Sequence, residues 1–334
     1  MDEYYNCRTI EFKNSYFSQG FTFVGPKEAE GKLGKFFDLT TLDDKLGQKT
    51  FEKAERKFFE NAIYGLVNKC GIELSQVDAI VGGDLLNQIV SVAFGVRDTL
   101  RPFLGLYNAC GTYVESLIVG SILVDNYYDR VICLSGSHFS TAERQYRYPL
   151  ELGVFRSPVS QWTATGVGCT LLANNSLNNI RIVRATIGRV VDYGILDLNN
   201  MGAAMAPSAY DTLLNHFTNT NTTAKDYDLI LTGDLGKLGK SILIDLAHCK
   251  GIDLSKNLAD CGASLYHPSQ KTYMGGSGAA CSAIVVNSLI YQNLVSKRIK
   301  RMLVIGTGAL MSPTTSFQGE SIPAIAHCVE ITSD

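Results

Sequence analysis

The stretch Phe103-Leu-Gly-Leu-Tyr-Asn-Ala-Cys110-Gly-Thr-Tyr-Val-Glu-Ser-Leu carries a cysteine where the residue pattern changes. An apolar run ends in the small residues Ala109 and Gly111 around the thiol. From Val114 onward, Leu117, Ile118, Ser121, Ile122 and Asp125 recur at three and four residues, the period of a helix. Cys110 is therefore expected at a strand-to-helix turn, beside free amides at the positive end of a helix dipole. That setting lowers a thiol pKa, activates it as a nucleophile and favours bound anions. The alternative is a buried, inert cysteine in a tight turn.

The elements that must hold this turn read as two similar halves. Thr50 caps a helix with an apolar stripe at Ala54, Phe58, Ala62 and Leu66. A short buried strand follows at Val77–Leu85, then the Cys110 turn, its helix to about Tyr128, and a strand from Arg130 to Ser137. Residues 138–156 read as a loop rich in Arg and Tyr. A helix at Pro207–Phe217 opens the second half, and Asp228-Leu-Ile-Leu-Thr-Gly-Asp234-Leu repeats Asp78-Ala-Ile-Val-Gly-Gly-Asp84-Leu. Tyr273-Met-Gly-Gly-Ser-Gly-Ala-Ala-Cys281 opens another helix, and the strand at Arg301–Gly308 mirrors the one at Arg130. This is an internal duplication, with halves expected at 1–178 and 179–334. Strands alternating with helices predict an α/β fold with ligands beyond the carboxyl ends of the strands. Those ends lie at Asp84, Cys110, Ser137, Asp234, Gly275–Gly278 and Gly306–Gly308.

Composition narrows the function classes. With 334 residues, 46% hydrophobic and 19% charged, the chain buries one large or two medium cores. A net charge of −2 supplies no basic face for nucleic acid. Nine scattered cysteines with no C-x-x-C pair argue against structural zinc and for reduced thiols. No signal peptide is expected, and no apolar stretch approaches the roughly 20 residues of a membrane span.

A duplicated α/β chain with a cysteine elbow resembles the thiolase and ketoacyl-synthase fold. Ala164-Thr-Gly-Val-Gly-Cys-Thr-Leu-Leu-Ala173, Met201-Gly-Ala-Ala-Met-Ala-Pro207 and Gly275-Gly-Ser-Gly-Ala-Ala are similar to stretches of those enzymes. Four further segments narrow the resemblance. They are Gly25-Pro-Lys-Glu-Ala-Glu-Gly, Gly83-Asp-Leu-Leu-Asn-Gln88, Thr141-Ala-Glu-Arg-Gln-Tyr-Arg-Tyr-Pro149 and Gln161-Trp-Thr-Ala-Thr-Gly166. Together they resemble the stage V sporulation protein AD family, over essentially the whole chain. The resemblance implies a duplicated αβαβα layered fold with two mixed, mainly parallel sheets. It also implies binding of dipicolinic acid (pyridine-2,6-dicarboxylate) and its uptake into the developing spore. The expected partners are other stage V sporulation A membrane proteins and a second copy of the chain. A peripheral place at the inner membrane of the forespore follows from the same likeness.

Condensing chemistry needs a thiolate, an oxyanion hole and His or Asn partners for proton transfer. Where the resemblance expects the first histidine, the chain has Thr232-Gly-Asp234. The second helper falls near Thr272–Gly276 and the second thiolase cysteine near Val304, and neither group is present. His267 and His327 lie nearby in sequence but off-register. The expectation is a non-catalytic binder. The alternative is an active condensing enzyme or thioesterase using Cys110, and a third reading is a structural adaptor with a vestigial pocket.

A planar aromatic dianion asks for donors, cations and a flat wall. The candidates are Cys110 with the amides of Gly111 and Thr112, Ser137 and His138 at the neighbouring strand end, and the turn at Gly275 and Gly276. Arg144 and Arg147 are candidate bidentate partners of carboxylate, or solvated loop residues. Asp234 pairs with Lys237, helps hold a calcium ion bridging to the ligand, or caps a helix as Asp84 does. No cofactor and no protein metal site are expected.

Overall fold

Short runs of alternating apolar residues form ten core strands in the computed structural model, which describes residues 8–146, 156–176 and 178–333. Arg147 lies outside the described residues. The first half holds β1 (Tyr16–Val24), β2 (Ala79–Gly83), β3 (Phe103–Gly105), β4 (Arg130–Ser137) and β5 (Gly166–Ala173). The second holds β6 (Ile180–Thr186), β7 (Leu229–Thr232), β8 (Leu258–Asp260), β9 (Arg301–Ala309) and β10 (Ala324–Ser333). Their spatial orders are 1-5-4-2-3 and 6-10-9-7-8, the same path twice. In each half the three strands farthest from the junction are parallel and the others antiparallel. The halves join edge to edge at β6, which pairs with Tyr16 of β1 through Arg181 and with the short N-terminal strand Thr9–Glu11.

Six helices complete the frame: α1 (Phe51–Cys70), α2 (Thr112–Asn126), α3 (Phe139–Tyr146), α4 (Met201–Thr220), α5 (Gly236–His248) and α6 (Ala279–Val285). The α2 helix packs on strands of both halves and α6 on the first, so both lie in the middle layer. In the outer layers α1 covers one sheet half and α4 the other. Strand alternation sets this up directly. Val81 and Cys133 turn inward to meet Leu117 and Ile284, while Ile80, Ile132 and Leu134 turn outward to meet Phe58 and Ile63. The result is the αβαβα layering expected from the sequence. Repetition extends to the turns: Asp78 accepts from Asp129 N and Arg130 N, and Asp228 accepts from Lys300 N and Arg301 N.

Two elements differ from the sequence reading. Residues 139–146 are a helix rather than a loop, because Ser140, Thr141, Ala142 and Glu143 face the protein interior and shelter its backbone. Helix α4 starts at Met201, six residues before Pro207, with the Asn200 side chain capping Ala203 N. Pro207 therefore stands inside the helix at its seventh position, where it removes one intrahelical hydrogen bond, that to Ala203 O. No described helix is long and apolar enough to cross a membrane.

Candidate functional site

The thiol of Cys110 sits where β3 hands over to α2. Ala109, just before it, has φ of 45°, a left-handed conformation that costs a side-chain-bearing residue about 1–2 kcal/mol. A single 3-10 turn, Ala109–Gly111, then leads into α2. That turn consumes the amides expected to bind an anion. Gly111 N donates to Asn108 O at 2.8 Å, and Thr112 N donates to Ala109 O. Gly111 and Thr112 therefore shape the elbow and offer no free donor.

Asp234 faces the thiol from the end of β7. Ser277 stands between them, with Cys110 Sγ 3.8 Å from Ser277 Oγ, which in turn donates to Asp234 Oδ2 at 2.9 Å. Gly278 N and Thr307 Oγ1 also donate to the carboxylate, at 3.1 and 3.3 Å. Burial pushes the Asp234 carboxyl up to about 6. Burial and then the Asp234 charge raise the Cys110 thiol well above its usual range. The elbow was expected to lower that pKa; desolvation and a facing carboxylate outweigh the helix end.

Around the thiol lies a narrow cavity of about 40 Å³, lined at its mouth by Tyr107, Tyr146 and Met311. Leu85, Ala142, Glu143, Thr163, Ser277 and Gly278 are among its other lining residues. The two tyrosine hydroxyls bond each other, and Tyr146 also donates to Leu85 O. Glu143 is held by Thr163 Oγ1 at 3.0 Å and lies 3.7 Å from Arg156. Gly278 has φ of 96°, and a Cβ there would stand 2.9 Å from Ser137 Oγ.

Of the sequence candidates, Cys110 and Asp234 meet here, and the others are engaged elsewhere. Ser137 Oγ donates to Ala164 O and accepts from Ala280 N, which ties β4 to α6. His138 is fully buried, with Nε2 bonded to Asp44 O at 2.9 Å and Nδ1 accepting from Ser140 N. Burial lowers its pKa, so it is a neutral packing residue beside Phe51. Arg144 pairs with Glu52 at 2.7 Å on the outer side of α3. Lys237 donates to Tyr273 O at 2.9 Å and leaves Asp234 unpaired with any lysine. Nor does Asp234 cap the helix that follows it: Gly236 N donates to Asp260 Oδ1 at 3.1 Å instead. Asp84 does act locally, accepting from Leu86 N and Val92 N at 2.7 Å. Gly275 and Gly276 pair with the strand at Trp162 and precede the pocket-lining Ser277 without lining the pocket themselves. Among the described residues, no cluster of His, Cys, Asp and Glu could hold a metal ion.

The lining residues missed in the sequence have identifiable signals. Ala142 and Tyr146 are four apart on one face of α3, hidden once 138–156 was read as loop. Ser277 stands inside the glycine-rich motif itself, and Tyr107 precedes the cysteine by three residues.

Comparison with known proteins supports the same architecture. Xanthomonas campestris OleA bound to cerulenin is 12% identical, with 97% of this chain and 100% of that one covered at a TM-score of 0.62. A tetronic acid condensing enzyme, AbyA1, is 14% identical over 86% of this chain and 84% of that one, at a TM-score of 0.57. At such identities the likeness concerns the fold. Closer relationship comes from sequence. The stage V sporulation protein AD of Bacillus subtilis (strain 168) is 42% identical over 309 residues, 92% of this chain and 91% of the relative. The family model described as Stage V sporulation protein AD (SpoVAD) matches residues 6–332. A thiolase-like duplicated fold and this match across nearly its full length lead to one conclusion: the chain belongs to the stage V sporulation protein AD family, proteins of sporulation.

Proposed function

We propose that this protein is a non-catalytic carrier of dipicolinic acid, bound in the Cys110 cavity and passed toward the developing spore. It acts as a homodimer on the aqueous face of a membrane complex with other stage V sporulation A proteins. One observation carries the reading: the thiol faces a carboxylate through Ser277, where proton transfer in acyl condensation calls for an imidazole or amide. The five histidines lie elsewhere. His138, His216 and His327 are bonded within the core, and His248 and His267 are exposed. Two tyrosines offer flat walls and hydroxyl donors for a ring bearing carboxylates. The cavity is small, so the Tyr107–Tyr146 contact opens to admit a ring.

Glu143 lines the cavity and Asp234 stands behind Ser277, so a dianion enters best with a proton or with its own calcium ion. Calorimetric titration of dipicolinate, with and without calcium, tests this in wild type, Cys110→Ala and Tyr107→Ala. Loss of the tyrosine wall is expected to weaken binding by about tenfold, roughly 1.4 kcal/mol. Absence of heat in wild type, or unchanged affinity in both variants, refutes the assignment. A second reading rests on the Cys110–Ser277–Asp234 chain, which can relay a proton and support acyl transfer. Acyl transfer from a labelled thioester, lost in Cys110→Ala, would establish it instead.

A further inference from the structure

At the opposite end of the strands from Cys110, three adjacent strands place donors in one row. Arg301 of β9 is in register with Thr332 of β10, and Thr332 is in register with Arg181 of β6. Paired residues share a sheet face at about 5 Å spacing. The row continues a ladder in which Glu330 meets Arg184 at 3.4 Å and Arg301 Nε at 2.8 Å, and Arg184 meets Glu11 at 2.9 Å. Those contacts use both carboxylates of the groove. Arg181 is left over: its Nη2 donates to Lys13 O at 2.8 Å, while its buried Nε has no partner among the described residues. Buried Thr332 Oγ1 also has none. Native proteins rarely leave two neighbouring donors unanswered, which points to an acceptor from outside the chain.

The surrounding charge has the matching sign. The groove has about 440 Å³ of room and is lined by four cations, Lys13, Arg181, Arg184 and Arg301, against two carboxylates, Glu11 and Glu330. Exposed Lys297, Arg298 and Lys300 lie on the turn beside it, tied to its wall by Ser333 N donating to Lys300 O at 2.8 Å. Asp228 caps that turn by accepting from the backbone amides of Lys300 and Arg301.

We propose that this groove is an oxyanion site that takes a phosphate group on Arg181, Thr332 and Arg301, independent of the Cys110 cavity. Guanidinium and hydroxyl donors set in a row along the groove suit the three equivalent oxygens of a phosphate. Such a group comes either free in solution or as the headgroup of an anionic lipid. The full chain is titrated with inorganic pyrophosphate, and its flotation with phosphatidylglycerol vesicles is compared with flotation on phosphatidylcholine vesicles. Wild type is expected to bind at least one anionic probe, more weakly as salt rises. Pyrophosphate binding identifies a free phosphate, and binding of phosphatidylglycerol vesicles alone identifies a headgroup.

Arg181→Gln and Thr332→Val are each expected to weaken that binding about tenfold with dipicolinate titration unchanged. Thr332→Val preserves shape, so it keeps the test decisive if the arginine variant fails to fold. No binding of any anionic probe overturns the proposal. So does binding that survives Thr332→Val but is lost in the K297Q/R298Q/K300Q triple variant.

Discussion

Asp234 shows how one buried residue sets the electrostatics of a site. A buried carboxylate opposite a thiol raises the thiol pKa, the reverse of what a nucleophile needs. Its own pKa, moved from 3.8 to about 6 by burial, has two consequences. For stability, the folded state holds the proton more tightly than the unfolded chain. The resulting stabilisation is fully present below 3.8 and is lost as pH rises through about 6. For ligand binding, the ionised carboxylate repels a dianion. Calcium-free dipicolinate affinity is therefore expected to fall as pH rises through about 6 in wild type. In Asp234→Asn it should stay level over the same range, as followed by calorimetry. Identical pH profiles in the two proteins would show that the ligand does not sense Asp234.

At the scale of elements, the elbow holds its shape because β9 approaches it without side chains. A Cβ on Gly308 would stand 2.4 Å from Asn108 O, and one on Gly306 would stand 2.7 Å from Val114 Cγ2. The strand cannot retreat, since its other neighbours β7 and β10 are hydrogen-bonded on both sides. Gly308→Ala is expected to cost about 1–3 kcal/mol in urea denaturation, the usual range for overpacking. It should also displace the thiol and weaken dipicolinate binding. A variant with wild-type stability would mean that the elbow yields to the added methyl group.

Considered as a whole, the molecule buries both copies of its repeated unit against a shared middle layer, so neither half presents that face to water. The sheet ends in two edge strands, β8 and β3. Among the described residues strand β3 pairs only with β2, and Leu104 within it and Leu100 before it are 46% and 82% exposed. An exposed, apolar edge strand is a site for strand pairing with another chain. The proposed homodimer is expected to form there, and Leu104→Lys should shift sedimentation from dimer to monomer. A wild-type chain that sediments as monomer at all concentrations would remove the dimer from the account.

By itself the sequence determined the duplicated α/β plan, because short buried apolar runs and period-3.6 stripes are local and occur twice, as in Asp78–Leu85 and Asp228–Leu235. It also listed Cys110 and Asp234 among the strand ends expected at one pocket, while leaving the role of Asp234 open. Side-chain assignment within the site was a different matter. Ser137, His138, Arg144 and Lys237 carry suitable chemistry, yet Ala164, Asp44, Glu52 and Tyr273 occupy their polar atoms. Those partners are 27 to 94 residues away in sequence. Only tertiary structure decides such contests, because a hydrogen-bonding group serves whichever partner the packed chain brings within reach. Desolvation follows the same rule: the depth at which a thiol or carboxylate is buried depends on the whole fold, and here it set the sign of the Cys110 shift.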